Sequence, residues 1–457
     1  MKNARLAAIA LGLCAGLPAA ELPKAPPAPP LDDRYKADIL VVVAHPDDET
    51  EITGYLAKAI YDQHRRVAVI FGTRGDGGGN AMGNEQAAAL GAVREIEARR
   101  ALASFGVMDV WFLGGPDTPG QDVLRSLETW RHGEALAKTV RLVRLTRPEV
   151  IITWLPVYVA GENHGDHQAS SVLATEAFDL AGDATAFPEQ LAKPRDRRTD
   201  SNLLEGLHPW QPKKLYFYSD ASHSEFLEGQ GPRYDSSAMS PAKRVSYARL
   251  AAEEMAYHLT QGDAGQLAAE ALRRGDLKAF ERPVQLIFGK SLVPSSRTGD
   301  VMEGITGKPI AYVPVPGYRS IAKKGVSIEL GGPWSFYREF WKAHDLGHLE
   351  GLLKQPEVSI AAGERLHLPI TITNLTNAAE DVTLKFSLPD GWREENGTAV
   401  YPVEAQGTYQ VQAVIQSPPQ AARGWVQRDI VASAQAQGRD AGSIHVRVMI
   451  GGGGLAQ

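Results

Sequence analysis

Five short apolar runs, separated by longer stretches with a helical pattern, constrain the fold of this chain more than any other feature. Each run is apolar throughout, so both faces of the strand it forms must be covered. Strands of this kind that alternate with helices build a mainly parallel sheet with helices on both sides. We therefore predict an α/β, Rossmann-like layered domain with strands from ADILVVVA (37–44), RVAVIFGT (66–73), DVWFLG (109–114), EVIITWL (149–155) and KLYFYS (214–219), and helices over 51–63, 85–105, 123–145 and after His167.

Beyond residue 350 the pattern changes to short stretches in which apolar and polar residues alternate. Clusters of Gly, Pro, Asn and Asp separate these stretches. Alternation with a period of two is typical of strands that bury one face, and this spacing predicts an antiparallel, Ig-like β-sandwich of about 100 residues. The predicted strands are EVSIAAG (357–363), RLHLPITITNLT (365–376), DVTLKFSLP (381–389), TYQVQAVIQS (408–417), VQRDIVASAQA (426–436) and SIHVRVMI (443–450).

The length of the chain, 457 residues, allows two or three domains of about 150 residues each. We predict five segments from the changes of pattern. They are a signal peptide (1–20), a proline-rich linker (21–35), the α/β domain (36–270), a connecting extension (271–350) and the β-sandwich (351–450).

The first residues have the order of a secretory signal peptide. Lys2 and Arg5 precede an apolar stretch at residues 6–17, and small residues end at Ala20. The stretch is too short to span a bilayer, so we predict cleavage after Ala20 and export to the periplasm or the medium. Anchoring through Cys14, the single cysteine, is the alternative, but a leucine precedes it where a lipoprotein has a small residue.

Composition and charge exclude several classes of protein. Hydrophobic residues make up 43% of the chain and charged residues 22%, which is unlike a disordered or multi-span membrane protein. The net charge of −6 gives no basic surface, so we predict no nucleic-acid partner. The sequence makes no prediction of the oligomeric state.

The first polar cluster, AHPDDE (44–49), follows the first apolar run directly. Ligands of parallel α/β sheets bind at the carboxyl ends of the strands, so this position suits a functional site. If residues 46–49 form a first helical turn, His45 and Asp48 project to one side and Asp47 to another. The alternative is that the acidic residues only complement the positive end of a helix dipole.

A second cluster, HGDH (164–167), stands at a later junction between strand and helix. Its two histidines, three residues apart, either bind one metal together or divide between metal and substrate; a solvated loop is the alternative. Two histidines and a carboxylate with an open position suit Zn²⁺ in a hydrolytic site. The paired clusters therefore predict metal-assisted hydrolysis.

These two motifs, AHPDDE and HxDH, resemble those of the PIG-L/LmbE-like family of zinc-dependent N-deacetylases over residues 37 to about 261. The resemblance implies Zn²⁺, with Fe²⁺ as an alternative metal, bound by His45, Asp48 and His167. It implies that Asp47 is the general base. It further implies that His164 faces the developing oxyanion and that Asp166 orients and charges His164.

Weaker features resemble the same family. Arg94, in an Arg-x-x-Glu helix, is a predicted substrate contact, with a salt bridge on the helix surface as the alternative. Asp117, in GGPDTPG, is a second predicted substrate contact. His258 and Gln261 match the last helix of the family domain. The HDLGH sequence, with His344 and His348, is predicted to be a solvated surface rather than a zinc pair.

Together these observations predict a secreted zinc hydrolase that removes the N-acetyl group of an N-acetylglucosamine-type amino sugar or glycoconjugate, without a membrane span. One alternative is a zinc amidase of another N-acyl substrate. Another is a carbohydrate- or surface-binding protein with a vestigial zinc site.

Overall fold

A computed structural model of the chain describes residues 33–157, 164–191, 207–219, 227–306, 325–332, 337, 340–341, 343–352, 356–395, 400–419 and 425–451. The predicted signal peptide and the linker up to residue 32 lie outside these ranges. Within them, no helix combines the length and the apolar character that crossing a bilayer requires.

The first two thirds of the chain form a six-stranded sheet in the order β3-β2-β1-β4-β5-β8. Its strands are β1 (Ile39–Val43), β2 (Val67–Phe71), β3 (Val110–Phe112), β4 (Val150–Trp154), β5 (Lys214–Tyr218) and β8 (Ile287–Ser291). The first five are parallel and lie in the five predicted apolar runs, whereas β8 is antiparallel to β5. The short strands β6 (Arg233–Tyr234) and β7 (Val284–Gln285) pair separately.

In the described part of the chain, seven α-helices accompany this sheet: α1 (Thr53–Ala57), α2 (Ala88–Ser104), α3 (Val123–Thr129), α4 (His132–Thr146), α5 (Gly165–Leu180), α6 (Tyr247–Met255) and α7 (Ala264–Arg274). The stretch 123–145, predicted as one helix, is broken into two. Arg131 adopts a left-handed conformation with φ 53°, which ends the continuous hydrogen-bond ladder between α3 and α4.

Both faces of the sheet are buried, as the uniformly apolar runs predicted. In β1, Leu40 and Val42 point into a hydrophobic cluster with side chains of α4 and α5. Ile39, Val41 and Val43 point to the opposite face, into a cluster with side chains of α1, α2 and α6. Each fully buried side chain of this size contributes roughly 1.5–3 kcal/mol relative to exposure, which anchors the central strands firmly.

The strand order creates a crevice at the end of β1. This strand has β2 on one side and β4 on the other, so the connections leave β1 and β4 toward opposite sides of the sheet. Ligands of open α/β sheets bind at such a switch point, outside the carboxyl ends of the strands. The AHPDDE motif follows β1, and the HGDH motif forms the amino-terminal end of α5, the helix that follows β4. The topology therefore brings both motifs to one crevice.

The second half of the chain forms two further sheets, as expected for a β-sandwich. Their orders are β10-β17-β16-β12-β14 and β13-β15-β11-β9, and all pairs except the parallel β10–β17 pair are antiparallel. The strands are β9 (Val326–Leu330), β10 (Glu357–Ala361), β11 (Arg365–Asn374), β12 (Glu380–Ser387), β13 (Arg393–Glu394), β14 (Val400–Val403), β15 (Thr408–Gln416), β16 (Val426–Ala436) and β17 (Arg439–Gly451).

The segment between the predicted domains contributes to both. Within residues 271–350, β8 adds a strand to the α/β sheet next to β5, and β9 adds a strand to the β-sandwich next to β11. After β9 the chain returns to the α/β part through residues 333–352, which we call the strap and of which 337, 340, 341 and 343–352 are described. Tyr337, Trp341, Leu346 and Leu349 of the strap are 0–2% exposed and belong to the same hydrophobic cluster as α5. The strap is therefore part of the α/β core.

Candidate metal centre

Two backbone turns deliver the polar side chains to the crevice. After β1 the carbonyl of His45 accepts hydrogen bonds from the N–H groups of Asp47 and Asp48, and a 3₁₀ turn begins at Asp48. His164 immediately precedes α5, with Asp166 and His167 in the first turn. Gly165 lets α5 start here, because a Cβ at this position would lie 2.8 Å from the carbonyl oxygen of Asp122.

Three side-chain atoms converge at the centre of the crevice. His45 Nδ1 lies 2.9 Å from His167 Nε2, which lies 3.2 Å from Asp48 Oδ1, and the His45 Nδ1 to Asp48 Oδ1 distance is 3.6 Å. Ligand atoms about 2.0–2.1 Å from a tetrahedral zinc ion are about 3.3 Å apart, so the spacing and the donor chemistry fit a divalent metal. The structure thus brings together the three residues predicted as ligands.

The Asp48 carboxylate is fixed by three donors on one oxygen. Its Oδ2 accepts hydrogen bonds from the N–H groups of Ala44 and His45, both at 2.9 Å, and from Trp154 Nε1 at 2.7 Å. Its other oxygen is thereby directed toward the two histidines. Burial alone would raise the pKa of Asp48, but the charge of His167 and hydrogen bonds from both histidines hold it well below its usual value. Asp48 is therefore a carboxylate.

Trp154, at the end of β4, supports the same two ligands. Besides its bond to Asp48, its indole stacks on the His167 ring with centroids 4.3 Å apart and an interplanar angle of 5°. The carbonyl of Asp48 in turn accepts a hydrogen bond from the hydroxyl of Tyr218 at 2.9 Å. The sequence analysis missed both aromatic residues, although their positions at the carboxyl ends of parallel strands were a usable signal.

Asp166 lies behind the metal group and faces two histidines. Its Oδ2 is 3.6 Å from His45 Nε2 and 3.8 Å from His164 Nδ1, and it accepts the Thr118 N–H at 2.8 Å. Burial alone would lower the pKa of His45, but hydrogen bonds to Asp166 and Asp48 raise it well above its usual value. A carboxylate on the second nitrogen of a ligating histidine is the usual means of orienting its ring. Asp166 is thus placed to orient His45 as well as His164.

Asp47, the predicted general base, is half-buried beside the ligands. Burial raises its pKa, and the neighbouring negative charge of Asp48 raises it further, while His258, His45 and Arg94 act in the opposite direction. A carboxylate with a raised pKa accepts a proton more readily near neutral pH.

Arg94 and Asp117, the predicted substrate contacts, both bind the glycine-rich loop after β2. Arg94 donates to the carbonyls of Gly75 at 2.6 Å and Gly79 at 2.7 Å. Asp117 Oδ2 accepts the Gly77 N–H at 2.8 Å. Arg94 is only 6% exposed, so the alternative of a salt bridge on the helix surface is wrong. A contact with substrate stays a prediction for both residues.

A second polar cluster lies next to the AHPDDE motif and is fully buried. His258 Nε2 is 3.2 Å from Glu254 Oε1 and 3.4 Å from Glu49 Oε1. Burial raises the pKa of Glu49 to about 8. His258 and Gln261 follow α6, which ends at Met255, so the expectation that they lie in the last turn of this helix is wrong. Gln261 donates to the carbonyl of Pro46 at 2.6 Å, which connects the segment after α6 to the first motif. Through these contacts His258 and Gln261 stabilise the AHPDDE motif.

Comparison with known proteins gives two matches to family models. Residues 40–178 match PIG-L, GlcNAc-PI de-N-acetylase. Residues 360–437 match the NPCBM-associated NEW3 domain of alpha-galactosidase.

Curated relatives match about a third of the chain. A 1D-myo-inositol 2-acetamido-2-deoxy-alpha-D-glucopyranoside deacetylase of Geodermatophilus obscurus is 32% identical over 166 residues, which cover 33% of this chain and 56% of the relative. An enzyme of the same name, numbered 1, from Catenulispora acidiphila is 31% identical over 180 residues, 36% and 54% of the two chains. The chain thus spans just over half the length of these relatives. Among solved structures, an N,N'-diacetylchitobiose deacetylase from Pyrococcus horikoshii is 16% identical over 56% of this chain and 84% of its own, and its TM-score of 0.37 is too low to support an inference.

Proposed function

We propose that this chain, which carries a PIG-L domain over residues 40–178, is a metal-dependent N-deacetylase of an N-acetylglucosamine-type amino sugar or its conjugate. The convergence of His45, Asp48 and His167 carries the proposal. Three protein ligands leave the fourth position of a tetrahedral site for water or substrate. The names of the curated relatives support a 2-acetamido sugar as the substrate class.

The residues around the three ligands have distinct tasks in this proposal. A bound Zn²⁺ ion would lower the pKa of its water to about 7 and polarise the acetamide carbonyl. Asp47 takes a proton from the attacking water, which its raised pKa favours. His164 donates to the carbonyl oxygen as negative charge develops there, and Asp166 holds the ring. The proton on Asp47 then passes to the departing amine, so that acetate and a free amino sugar leave.

The test is release of free amine from a panel of N-acetylglucosamine-containing substrates by the zinc-loaded protein, repeated with Fe²⁺. We expect Asp47→Asn to bind metal but to lose at least about 100-fold in kcat. His45→Ala should lose both metal and turnover. Asp109→Asn, the same substitution just before β3 at an edge of the sheet, is the matched control and should retain activity.

Each other outcome points to a different conclusion. Full turnover in Asp47→Asn would contradict its role as the base. Release of amine only from substrates with long acyl chains would favour the zinc amidase. Glycan binding without turnover on any amide, in protein shown to hold metal, would favour the binding protein.

We also propose that the protein is exported after cleavage at Ala20, on the strength of the charged, apolar and small-residue order of the first twenty residues. Amino-terminal sequencing of the mature protein from a periplasmic or culture fraction tests this. A chain that keeps Lys2 and stays in the cytoplasm would contradict export.

A further inference from the structure

The strap runs along α5, the helix that carries the second metal motif. It connects β9 and β10, two strands of the β-sandwich, and between these strands it enters the α/β core. The sequence predicted residues 271–350 only as a connecting extension between the two domains. Two of its side chains bind on either side of the HGDH motif.

Trp341 holds the amino-terminal side of the motif. Its indole Nε1 donates to the carbonyl of Pro156 at 2.8 Å, and the tryptophan is only 2% exposed. Pro156 lies two residues after Trp154, the residue that contacts both Asp48 and His167. The bond therefore fixes the chain where it leaves β4 toward the motif.

Tyr337 holds the carboxyl-terminal side. Its hydroxyl donates to Gln168 Oε1 at 2.7 Å, and Gln168 directly follows His167. The amide nitrogen of the same glutamine donates to the carbonyl of Gln121 at 3.4 Å, in the loop that also carries Asp117. The first turn of α5 is thereby connected to the strap on one side and to this loop on the other.

A third contact lies at the far end of α5. His344 Nδ1 is 2.5 Å from Asp179 Oδ2, and Lys290 of β8 lies 2.8 Å from the other oxygen of the same carboxylate. Because Gln168 and Asp179 are eleven residues apart, the strap contacts span about 16 Å of the helix. His344 belongs to HDLGH, so this histidine is bound to α5 rather than lying on the solvated surface that was expected.

We propose that the strap is a positioning element of the metal centre, in which Trp341 holds the chain just after Trp154 at the end of β4 and Tyr337 holds the first turn of α5, which carries His167. Partners of metal ligands set ring orientation and ligand basicity, and their loss typically weakens metal binding or activity by 10–100-fold. The strap acts on the ligands indirectly, through its hydrogen bonds to Pro156 and Gln168. This role of the strap rests on the metal centre proposed above, but not on the identity of the substrate.

The test uses full-length Trp341→Phe and Tyr337→Phe, which keep an aromatic ring and remove the donor; the loss of ring size in Trp341→Phe is matched in the control below. Trp210→Phe is the matched control, because Trp210 Nε1 donates to the carbonyl of Pro148 at 2.7 Å, at the opposite end of β4. Hydrogen exchange of the metal-free proteins over residues 155–157 and 164–171 is measured first. The dissociation constant for Co²⁺ and the visible absorption spectrum of the Co²⁺ form follow.

We expect at least tenfold faster exchange over these residues in both strap variants and unchanged exchange there in Trp210→Phe. We also expect at least threefold weaker Co²⁺ binding and an altered absorption band only in the strap variants. Exchange and Co²⁺ affinity that match those of the wild type in both would overturn the proposal. Failure of the proposed function shows differently, as wild-type protein that binds no metal or releases no amine while the exchange difference persists.

Discussion

The hydrogen bond from Trp154 to Asp48 allows a quantitative test of how the metal centre is held together. Trp154→Phe removes the shortest of the three donors to Asp48 Oδ2, at 2.7 Å, and retains an aromatic ring next to His167. A hydrogen bond to a charged group contributes about 1.5–3 kcal/mol. A loss of about 2 kcal/mol of stabilisation would make the locally open state of this region about 30-fold more populated.

The assay is native-state hydrogen exchange of amides in β1 and β4, in EDTA at pH 7 and 25 °C. Trp210→Phe is again the matched control, since it removes the same donor from an uncharged carbonyl, where we expect a loss of about 0.5–1.5 kcal/mol. Exchange reports the free energy of local opening directly, so the stability of the β-sandwich (β9–β17) does not affect the comparison.

The pH dependence of the difference between the two variants has a defined sign. The folded pKa of Asp48 is depressed, so its contribution is fully present above the unfolded pKa of about 4 and is lost as the pH falls below that value. The extra loss in Trp154→Phe should therefore be present at pH 7 and should shrink as the pH falls below about 4 and through the folded pKa. Equal losses in the two variants at pH 7, or a difference that grows in acid, would refute this account of the site.

Three further predictions concern other parts of the molecule. Arg94→Lys keeps the charge but cannot bind both loop carbonyls, so we expect faster hydrogen exchange over residues 74–79; unchanged exchange would contradict a loop-holding role. A hydrogen bond with Glu176 raises the pKa of His132, so this pair stabilises the fold below about pH 6.5 and less as the pH rises through the folded pKa; Glu176→Gln should lower Tm at pH 6 but not at pH 9. A chain that ends at residue 270 lacks β8 and the strap, and it should show no cooperative transition by near-ultraviolet circular dichroism.

The α/β sheet and the position of the two polar motifs could be predicted from the sequence because both depend on local pattern, whereas the choice of His45, Asp48 and His167 as ligands rested on the resemblance to a known family. Uniformly apolar runs specify strands covered on both faces, and the ends of such strands are where ligands bind. The sequence did not specify the strand order, which brings the two motifs to the same crevice. That order, with β1 between β2 and β4, follows from packing of the whole domain.

What could not be predicted depends on contacts between distant residues or on unusual backbone. Trp154 reaches Asp48 across two neighbouring strands, a contact that neither strand encodes alone. Arg131 adopts a left-handed conformation that sequence rules reserve for glycine, so the break between α3 and α4 was missed. Trp341 and Tyr337 lie in an aromatic cluster whose burial depends on α5, more than 150 positions earlier in the chain.

The path of the chain through β9, the strap and β10 also has a consequence during synthesis. Domains usually form in the order in which they leave the ribosome. Here the first hydrophobic core includes Leu346 and Leu349, so it cannot be completed until about three quarters of the chain has emerged. By then β9, the first strand of the second unit, is already outside and waits for partners that are still untranslated. We therefore expect a nascent chain of this protein to expose an unpaired strand edge when its α/β core closes, and we expect chaperones to bind at that edge.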